Sequence, residues 1–180
     1  MHVLVALAGI GQSDCERVAD HALAQPVLAV SSLAYVATGV VVLCWAMRGR
    51  GALASAAGVV IIAVGLGSFV YHGPQPTWAG PAHDWPIIAF GVVCVAGLVR
   101  SVRSHWRLWM VAAGILAVAL IAYAAGRSGS PLCRPESLWQ FHGAWHVLTA
   151  AAAGCAAVAM GRRREDASAT HVGAGPTIGQ

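Results

Sequence analysis

Long apolar stretches separated by short polar segments dominate this chain. Five of them approach the roughly 20 residues that a helix needs to cross a hydrocarbon core about 30 Å thick. Within lipid each stretch must be helical, because every backbone polar group needs a partner inside the segment. The predicted spans are 26–47, 52–72, 85–99, 106–126 and 138–160. The third is short, but Trp85 and Arg100 are suitable interfacial ends for it.

Composition agrees with this pattern. The 180 residues are 58% hydrophobic and only 10% charged, whereas soluble domains carry about 25% charged residues. Too little polar surface remains to cover a soluble globule. The sequence therefore predicts an all-α integral membrane protein, a bundle of about five transmembrane helices in residues 26–161. An extracytoplasmic lead-in, 1–25, precedes the bundle, and a disordered cytoplasmic tail, 162–180, follows it.

The arginines predict the orientation of the bundle. All eleven basic residues are arginine, and they lie in the gaps between apolar stretches, which indicates topology rather than nucleic-acid binding. Five spans place eight arginines on one side and three on the other. The positive-inside rule then puts the C-terminus in the cytoplasm and the N-terminus outside, across the plasma (inner) membrane. The eight are Arg48, Arg50, Arg100, Arg103, Arg107, Arg162, Arg163 and Arg164; the three are Arg17, Arg127 and Arg134.

Chemically active side chains collect on the extracytoplasmic side. Ser68 and His72 end the second predicted span, Asp84 begins the third, and His142 and His146 occupy the first turns of the fifth. His142 and His146 are four residues apart, so they share a helix face and form half of a metal site. His72 would complete three ligands and leave a position open for water, the pattern of catalytic zinc. Ionisable groups at membrane depth are costly, which favours function.

Each of the other residues also has a structural interpretation. Asp84 is a candidate N-cap of the third helix, with Pro86 in its first turn. Ser68 is a candidate packing hydroxyl between helices. His83 is either a fourth ligand or a solvated loop residue. The acidic residues Asp14, Glu16 and Asp20 are interpreted as an ordinary solvated face.

Three blocks of this sequence resemble the alkaline ceramidase family, which lies in a wider superfamily of membrane hydrolases that includes the adiponectin-receptor type. Residues 67–72 (GSFVYH) are similar to the family's Ser-x-x-x-His, Asp84 stands at the start of the next helix, and residues 142–146 (HGAWH) are similar to its His-x-x-x-His. A weaker fourth block is Cys15-Glu16, followed after a gap by 31–33 (SSL). The first three blocks, in this order and on one membrane side, make a fairly specific signal, whereas any one of them alone would be weak.

The resemblance implies a zinc ion held by His72, His142 and His146. It further implies that Asp84 handles protons around the zinc-bound water and that Ser68 steadies the oxyanion. The implied reaction is hydrolysis of a lipid amide, with ceramide as the family substrate, so a lipid and the bilayer are the expected partners. The resemblance also implies a disulfide between two cysteines on the outer side, Cys15 and Cys133.

The chain departs from the family in two respects. Family members usually have seven spans, and removing two of them before the last keeps all the site residues on one side. Some members also bind calcium through an acidic N-terminal cluster. Glu16 matches that cluster, but Asp14 is shifted, and Gln25 stands where a later acidic residue is expected.

Two further classes of function compete with a zinc-dependent lipid amidase. One is a b-type haem protein, because histidines from two helices can hold haem iron. His142 and His146 lie on one face of one helix, which suits one metal better than the two sides of a porphyrin. The other is a non-enzymatic membrane protein with the same fold. The exact lipid, the metal and the oligomeric state stay open at this point.

Overall fold

The computed structural model describes residues 10–161, and their regular structure is helical apart from one isolated β-bridge. All four helices are long and apolar enough to cross a membrane, in agreement with the predicted membrane bundle. Residues 1–9 of the predicted lead-in and the predicted tail 162–180 lie outside the described residues. The helices are α1 (Pro26–Ala46), α2 (Ala52–His72), α3 (Ala79–Ala125) and α4 (Phe141–Gly161).

The first two helices occupy the predicted segments almost residue for residue. Pro26 stands at the first position of α1, where its fixed φ suits a helix and its missing N–H removes no bond. Gly49 and Gly51 adopt φ of 86° and 101° between α1 and α2, a backbone region that glycine enters without steric cost. Close packing follows: Gly39 of α1 lies directly against the backbone of Ile62 in α2.

The third helix differs most from the prediction. The predicted spans 85–99 and 106–126 are joined into one helical element of 47 residues, broken by non-helical φ and ψ at His105. The polar residues between the spans remain helical instead of forming a loop. Trp109 Nε1 donates a hydrogen bond to Ser101 Oγ at 3.0 Å, although residues eight apart are separated by about 12 Å along a straight helix. The chain therefore turns back at this break.

Contacts with α4 show the reversal of α3. Gly97 lies against Met160 near the end of α4, whereas Gly126 lies against His142 at the start of α4. These two positions are separated by nearly the whole length of α4. The second half of α3 thus returns to the end from which the first half set out.

The start of α3 also corrects one interpretation. The helix begins at Ala79, with Trp78 as its N-cap. Asp84 and Pro86 therefore lie inside the helix, and the interpretation of Asp84 as the N-cap is wrong. Residues 79–83, which precede the predicted span 85–99, are helical as well, and Pro81 among them falls in the first turn, where a missing N–H is tolerated.

The core is formed by α1, α2 and α4, and small side chains let them approach closely. The outward faces are apolar: exposed valine, leucine and isoleucine side chains follow α3 in particular, and such a surface suits lipid. The core cluster consists of Tyr35, Val42, Ala57, Ile61, Val64, Ala150, Ala153 and Ala157.

The two ends of the bundle differ in character. We call the end formed by the last turn of α2 and the first turns of α4 the histidine end, and the opposite end, which carries Arg48, Arg50, Arg100, Arg103 and Arg107, the arginine end. At the histidine end the segment before α1 folds against the segment between α3 and α4. A disulfide joins Cys15 to Cys133, with Cα atoms 5.4 Å apart, and confirms the pairing that the resemblance implied.

Candidate metal centre

Three histidines lie together inside the histidine end. His72 is the last residue of α2, and His142 and His146 lie in the first turns of α4. They are only 1%, 7% and 2% exposed, respectively. One ring nitrogen of each lies within 4.8 Å of those of the other two. The structure therefore brings together all three predicted metal ligands.

Gln25 orients the ring of His72. Its amide nitrogen donates hydrogen bonds to the carbonyl oxygens of Gly11 and Glu16, at 3.1 and 2.9 Å. The amide oxygen consequently faces the other way, and it lies 2.9 Å from Nδ1 of His72. Because an amide oxygen only accepts, Nδ1 carries the ring proton, and Nε2 of His72 presents a lone pair.

Ser31 orients His146 in the same way. The Ser31 hydroxyl donates to the carbonyl oxygen of Leu28 at 3.0 Å and lies 2.9 Å from Nδ1 of His146. With its own proton engaged, the hydroxyl accepts from Nδ1–H. The neutral imidazole then has its lone pair on Nε2.

Asp14 stands beside the third histidine. One carboxylate oxygen lies 2.9 Å from Nδ1 of His142 and 3.4 Å from Nη1 of Arg127. Burial by itself raises the pKa of Asp14. His142, followed by His72 and Arg127, lowers that pKa by more, so the net shift is below its usual value. The carboxylate lies at ion-pair distance from Nδ1 of His142 but accepts no hydrogen bond from it; carboxylates commonly stand behind histidine ligands of zinc.

This arrangement fits a metal ion. The rings of His72 and His146 turn Nδ1 towards an acceptor, whereas Nε2 of His72 and Nδ1 of His142 are buried without a hydrogen-bond partner among residues 10–161. A buried polar atom without a partner costs about 1–3 kcal/mol, which a bound cation would offset. Nitrogens that share one tetrahedral zinc lie about 3.3 Å apart, so small ring movements would complete the site. Three neutral imidazoles suit zinc and several other transition metals.

Glu16 stabilises the helix that carries Ser31. Its two carboxylate oxygens accept the backbone N–H groups of Val27 and Leu28, each at 2.8 Å. These donors would otherwise lack partners at the start of α1. Burial raises the pKa of Glu16, and the hydrogen bonds from Val27 and Leu28 lower it by less, so the net shift is upward. The oxygens that the resemblance would give to calcium are thus engaged by α1.

The interpretation of the acidic residues as a solvated face is wrong for two of the three. Asp14 and Glu16 are 5% and 6% exposed, whereas Asp20 is exposed. The disulfide at Cys15 draws its two neighbours against the bundle. The N–H of Cys15 also donates to the carbonyl oxygen of Gly126 at 2.8 Å, which presses the same segment onto the end of α3.

The two predicted catalytic side chains lie in different surroundings. Ser68 is 2% exposed and lies one turn before His72 on α2. The Asp84 side chain is 70% exposed and is bonded to Nδ1 of His83 at 2.8 Å. His83 is half-buried, and its ring centroid lies 6.3 Å from that of His72. Asp84 is therefore not buried with the three histidines, and its link to them is the hydrogen bond to His83.

Sequence reasoning missed the orienting roles of Asp14, Gln25 and Ser31. Gln25 and Ser31 were noticed only through the resemblance, and Asp14 was assigned to the surface. A usable signal was present, since polar side chains at the edge of an apolar span need partners just as the histidines do. The pattern alone does not say which acceptor meets which ring.

Comparison with protein-family models, curated proteins and solved structures finds no match for this chain. The three histidines buried together therefore carry the inference about function.

Proposed function

We propose that this chain is a zinc-dependent membrane hydrolase that cleaves the amide bond of a lipid such as ceramide, releasing a fatty acid and an amine. One observation carries the proposal: His72, His142 and His146 are buried together, and one ring nitrogen of each lies within 4.8 Å of those of the other two. The resemblance of residues 67–72 and 142–146 to the alkaline ceramidase family supports the same chemistry.

In this proposal the three histidines hold the metal through Nε2. Zinc bound there would supply a Lewis acid and a water whose pKa falls to about 7. Three protein ligands leave one position open, as in catalytic zinc sites. Gln25, Ser31 and Asp14 keep the rings aimed, and their own partners keep them in place.

The proposed roles of Ser68 and Asp84 follow from what their groups can donate and accept. The Ser68 hydroxyl donates a hydrogen bond to the oxyanion of the attacked amide, and losing one such donor costs about 10²–10³ in rate. Asp84 accepts a proton from the attacking water and returns it to the leaving amine. His83, bonded to Asp84 and packed near His72, connects that carboxylate to the rest of the site.

We further propose five membrane crossings, with α3 crossing twice around the break at His105. The arginine end then faces the cytoplasm, in accordance with the positive-inside rule, and the metal centre faces the extracytoplasmic side of the plasma (inner) membrane. The Cys15–Cys133 disulfide at the histidine end suits such an oxidising side. The apolar outer faces offer acyl chains a route along the helices.

Metal content tests the site. Wild-type protein, purified in detergent without chelators, is compared with His142→Ala and with the control His21→Ala, which removes an exposed histidine outside the cluster. Elemental mass spectrometry should find about one zinc per chain in the wild type and the control, and almost none in His142→Ala. A wild type without stoichiometric metal would remove the basis of the hydrolase.

Activity tests the reaction. Fatty-acid release from a panel of N-acyl lipids, ceramide included, should fall about 10²–10³-fold in Ser68→Ala and strongly in Asp84→Asn, while zinc content stays unchanged in both variants. Zinc-loaded protein that hydrolyses none of the panel would favour the second candidate below.

The second candidate is a non-enzymatic metal-binding membrane protein with the same fold. The exposed position of Asp84, which leaves no predicted base in contact with the histidines, is the observation that favours it. A haem protein fits less well, because the centroids of the His142 and His146 rings lie 4.9 Å apart around one point rather than on opposite sides of a porphyrin plane. A colourless, zinc-containing preparation would agree with that assessment.

A further inference from the structure

A cavity of about 600 Å³ opens at the arginine end, where the start of α2, the middle of α3 and the end of α4 meet. Its walls combine apolar and basic groups. The metal centre lies at the other end of α2 and α4, and each of these helices has 21 residues, or about 30 Å of helix. The cavity is therefore separate from the histidines. Its lining includes Arg50, Arg100, Ala52, Ala56, Ala96 and Met160.

Two arginines from different parts of the chain line this cavity. Arg50 precedes α2 and Arg100 lies on α3. Both are exposed, and neither forms an ion pair within residues 10–161. Arg50 lies over the ring of Trp45, 5.6 Å from its centroid, and Trp45 itself lies against Gly161 of the cavity wall. The start of α2 carries no side-chain cap, so its positive dipole end adds to the same field.

The apolar walls indicate the kind of anion that fits. Ala56, Ala96 and Met160 offer methyl, methylene and thioether surface, which gives a soluble phosphate nothing to contact. A phospholipid uses both parts of the cavity, because its phosphate meets the arginines while its first methylene groups cover the apolar wall. Basic pockets between transmembrane helices on the cytoplasmic side bind anionic lipid head groups by this combination.

We propose that the cavity at the arginine end binds an anionic phospholipid, with the phosphate between Arg50 and Arg100 and the glycerol and first methylene groups against Ala56, Ala96 and Met160. This site is independent of the proposed hydrolase, since it shares no residue with the metal centre. It holds the start of α2 against α3 and α4.

Native mass spectrometry of the full chain in detergent tests the proposal, with dioleoyl phosphatidylglycerol and dioleoyl phosphatidylcholine as probes. One phosphatidylglycerol per chain should be retained, and phosphatidylcholine much less. The double variant Arg50→Gln/Arg100→Gln should bind phosphatidylglycerol roughly thirty-fold more weakly. The charge-matched control Arg48→Gln/Arg103→Gln changes two exposed arginines at the same end that do not line the cavity, and its binding should stay close to that of the wild type.

A third variant separates shape from charge. Ala96→Phe fills the cavity and leaves both arginines in place, so it should also weaken binding. Unchanged zinc content and helical circular dichroism would show that each variant is folded. Equal loss in the two double variants would indicate a diffuse basic surface and overturn the proposal. Equal retention of the two lipids, displacement by inorganic phosphate, or unchanged binding by Ala96→Phe would overturn it as well.

Discussion

The two ends of this bundle treat polar side chains in opposite ways. At the histidine end several are buried, and two of the buried rings have an acceptor behind them: Gln25 stands behind His72, and Ser31 behind His146. At the arginine end the charged side chains are exposed, and those within residues 10–161 form no ion pair. They are Arg48, Arg50, Arg100, Arg103 and Arg107.

The difference follows from solvation. An exposed guanidinium stays hydrated or pairs with a lipid phosphate, so it needs no partner within the protein. A buried imidazole, amide or carboxylate loses its hydration and has to be hydrogen-bonded or bound to a cation. Burying a cluster of polar groups in an otherwise apolar bundle costs free energy. The histidine end is therefore the stronger candidate for a functional site.

Removing the disulfide should produce the largest loss of stability. Cys15 and Cys133 close a separation of 118 residues and hold Asp14 and Glu16 at the histidine end. The double variant Cys15→Ser/Cys133→Ser should lower the free energy of unfolding by about 2–5 kcal/mol. Unfolding in a detergent titration measures it. Cys44→Ser, which removes an exposed free cysteine, is the control, and its free energy of unfolding should stay close to that of the wild type. An equal loss of stability in the two variants would show that the disulfide does not stabilise the histidine end.

Helix packing should also differ between the ends. A methyl group at Gly67 would collide with the backbone carbonyl oxygen of Ala82, whereas the atoms nearest to one at Gly97 belong to the flexible side chain of Met160. Gly67→Ala should therefore destabilise the protein by about 1–3 kcal/mol. Gly97→Ala should be nearly neutral, because the gain of about 0.5–1 kcal/mol from alanine in a helix offsets the movement of Met160. Thermal unfolding of the two variants side by side tests this ranking.

Asp14→Asn tests how strongly the proposed metal site at the histidine end depends on one buried carboxylate. Asparagine keeps the size of the side chain but removes the negative charge that lies 2.9 Å from Nδ1 of His142. Metal affinity, measured by competition with a chelator of known affinity, should fall about 10–100-fold. Asp20→Asn, at an exposed position, should leave it unchanged. An Asp14→Asn protein with wild-type affinity would show that Asp14 does not orient the ligand.

The smallest effect is expected for an exposed arginine. Arg103→Gln removes a charge without touching the cavity or an ion pair among the described residues. Its free energy of unfolding should stay within about 0.5 kcal/mol of the wild type. A loss above about 1 kcal/mol in the same detergent titration would show that Arg103 makes a stabilising contact, contrary to the view that the arginines at this end need no protein partner.

The fold could be predicted where apolar length and helix signals coincide. Segments 26–47 and 52–72 have the length of one crossing and are bounded by proline and glycine, and the structure places α1 and α2 there. The start of the last span was predicted three residues too early. Segments 85–99 and 106–126 were predicted as separate helices, because the polar residues between them look like a loop. Hydropathy reports where lipid contact ends and does not report whether the backbone stays helical.

For the site, the sequence was enough to predict which three histidines come together. A spacing of four residues puts His142 and His146 on one helix face, and an apolar setting makes His72 too costly to leave without a role. What surrounds these histidines became known only from the folded chain. Asp14, expected at the surface, lies beside His142, whereas Asp84, expected near the metal, is exposed and bonded to His83. The physical reason is range. Helical periodicity relates residues within a few turns, whereas the partner that orients a ring comes from a segment far away in the chain, brought there by the disulfide and by the packing of α1, α2 and α4.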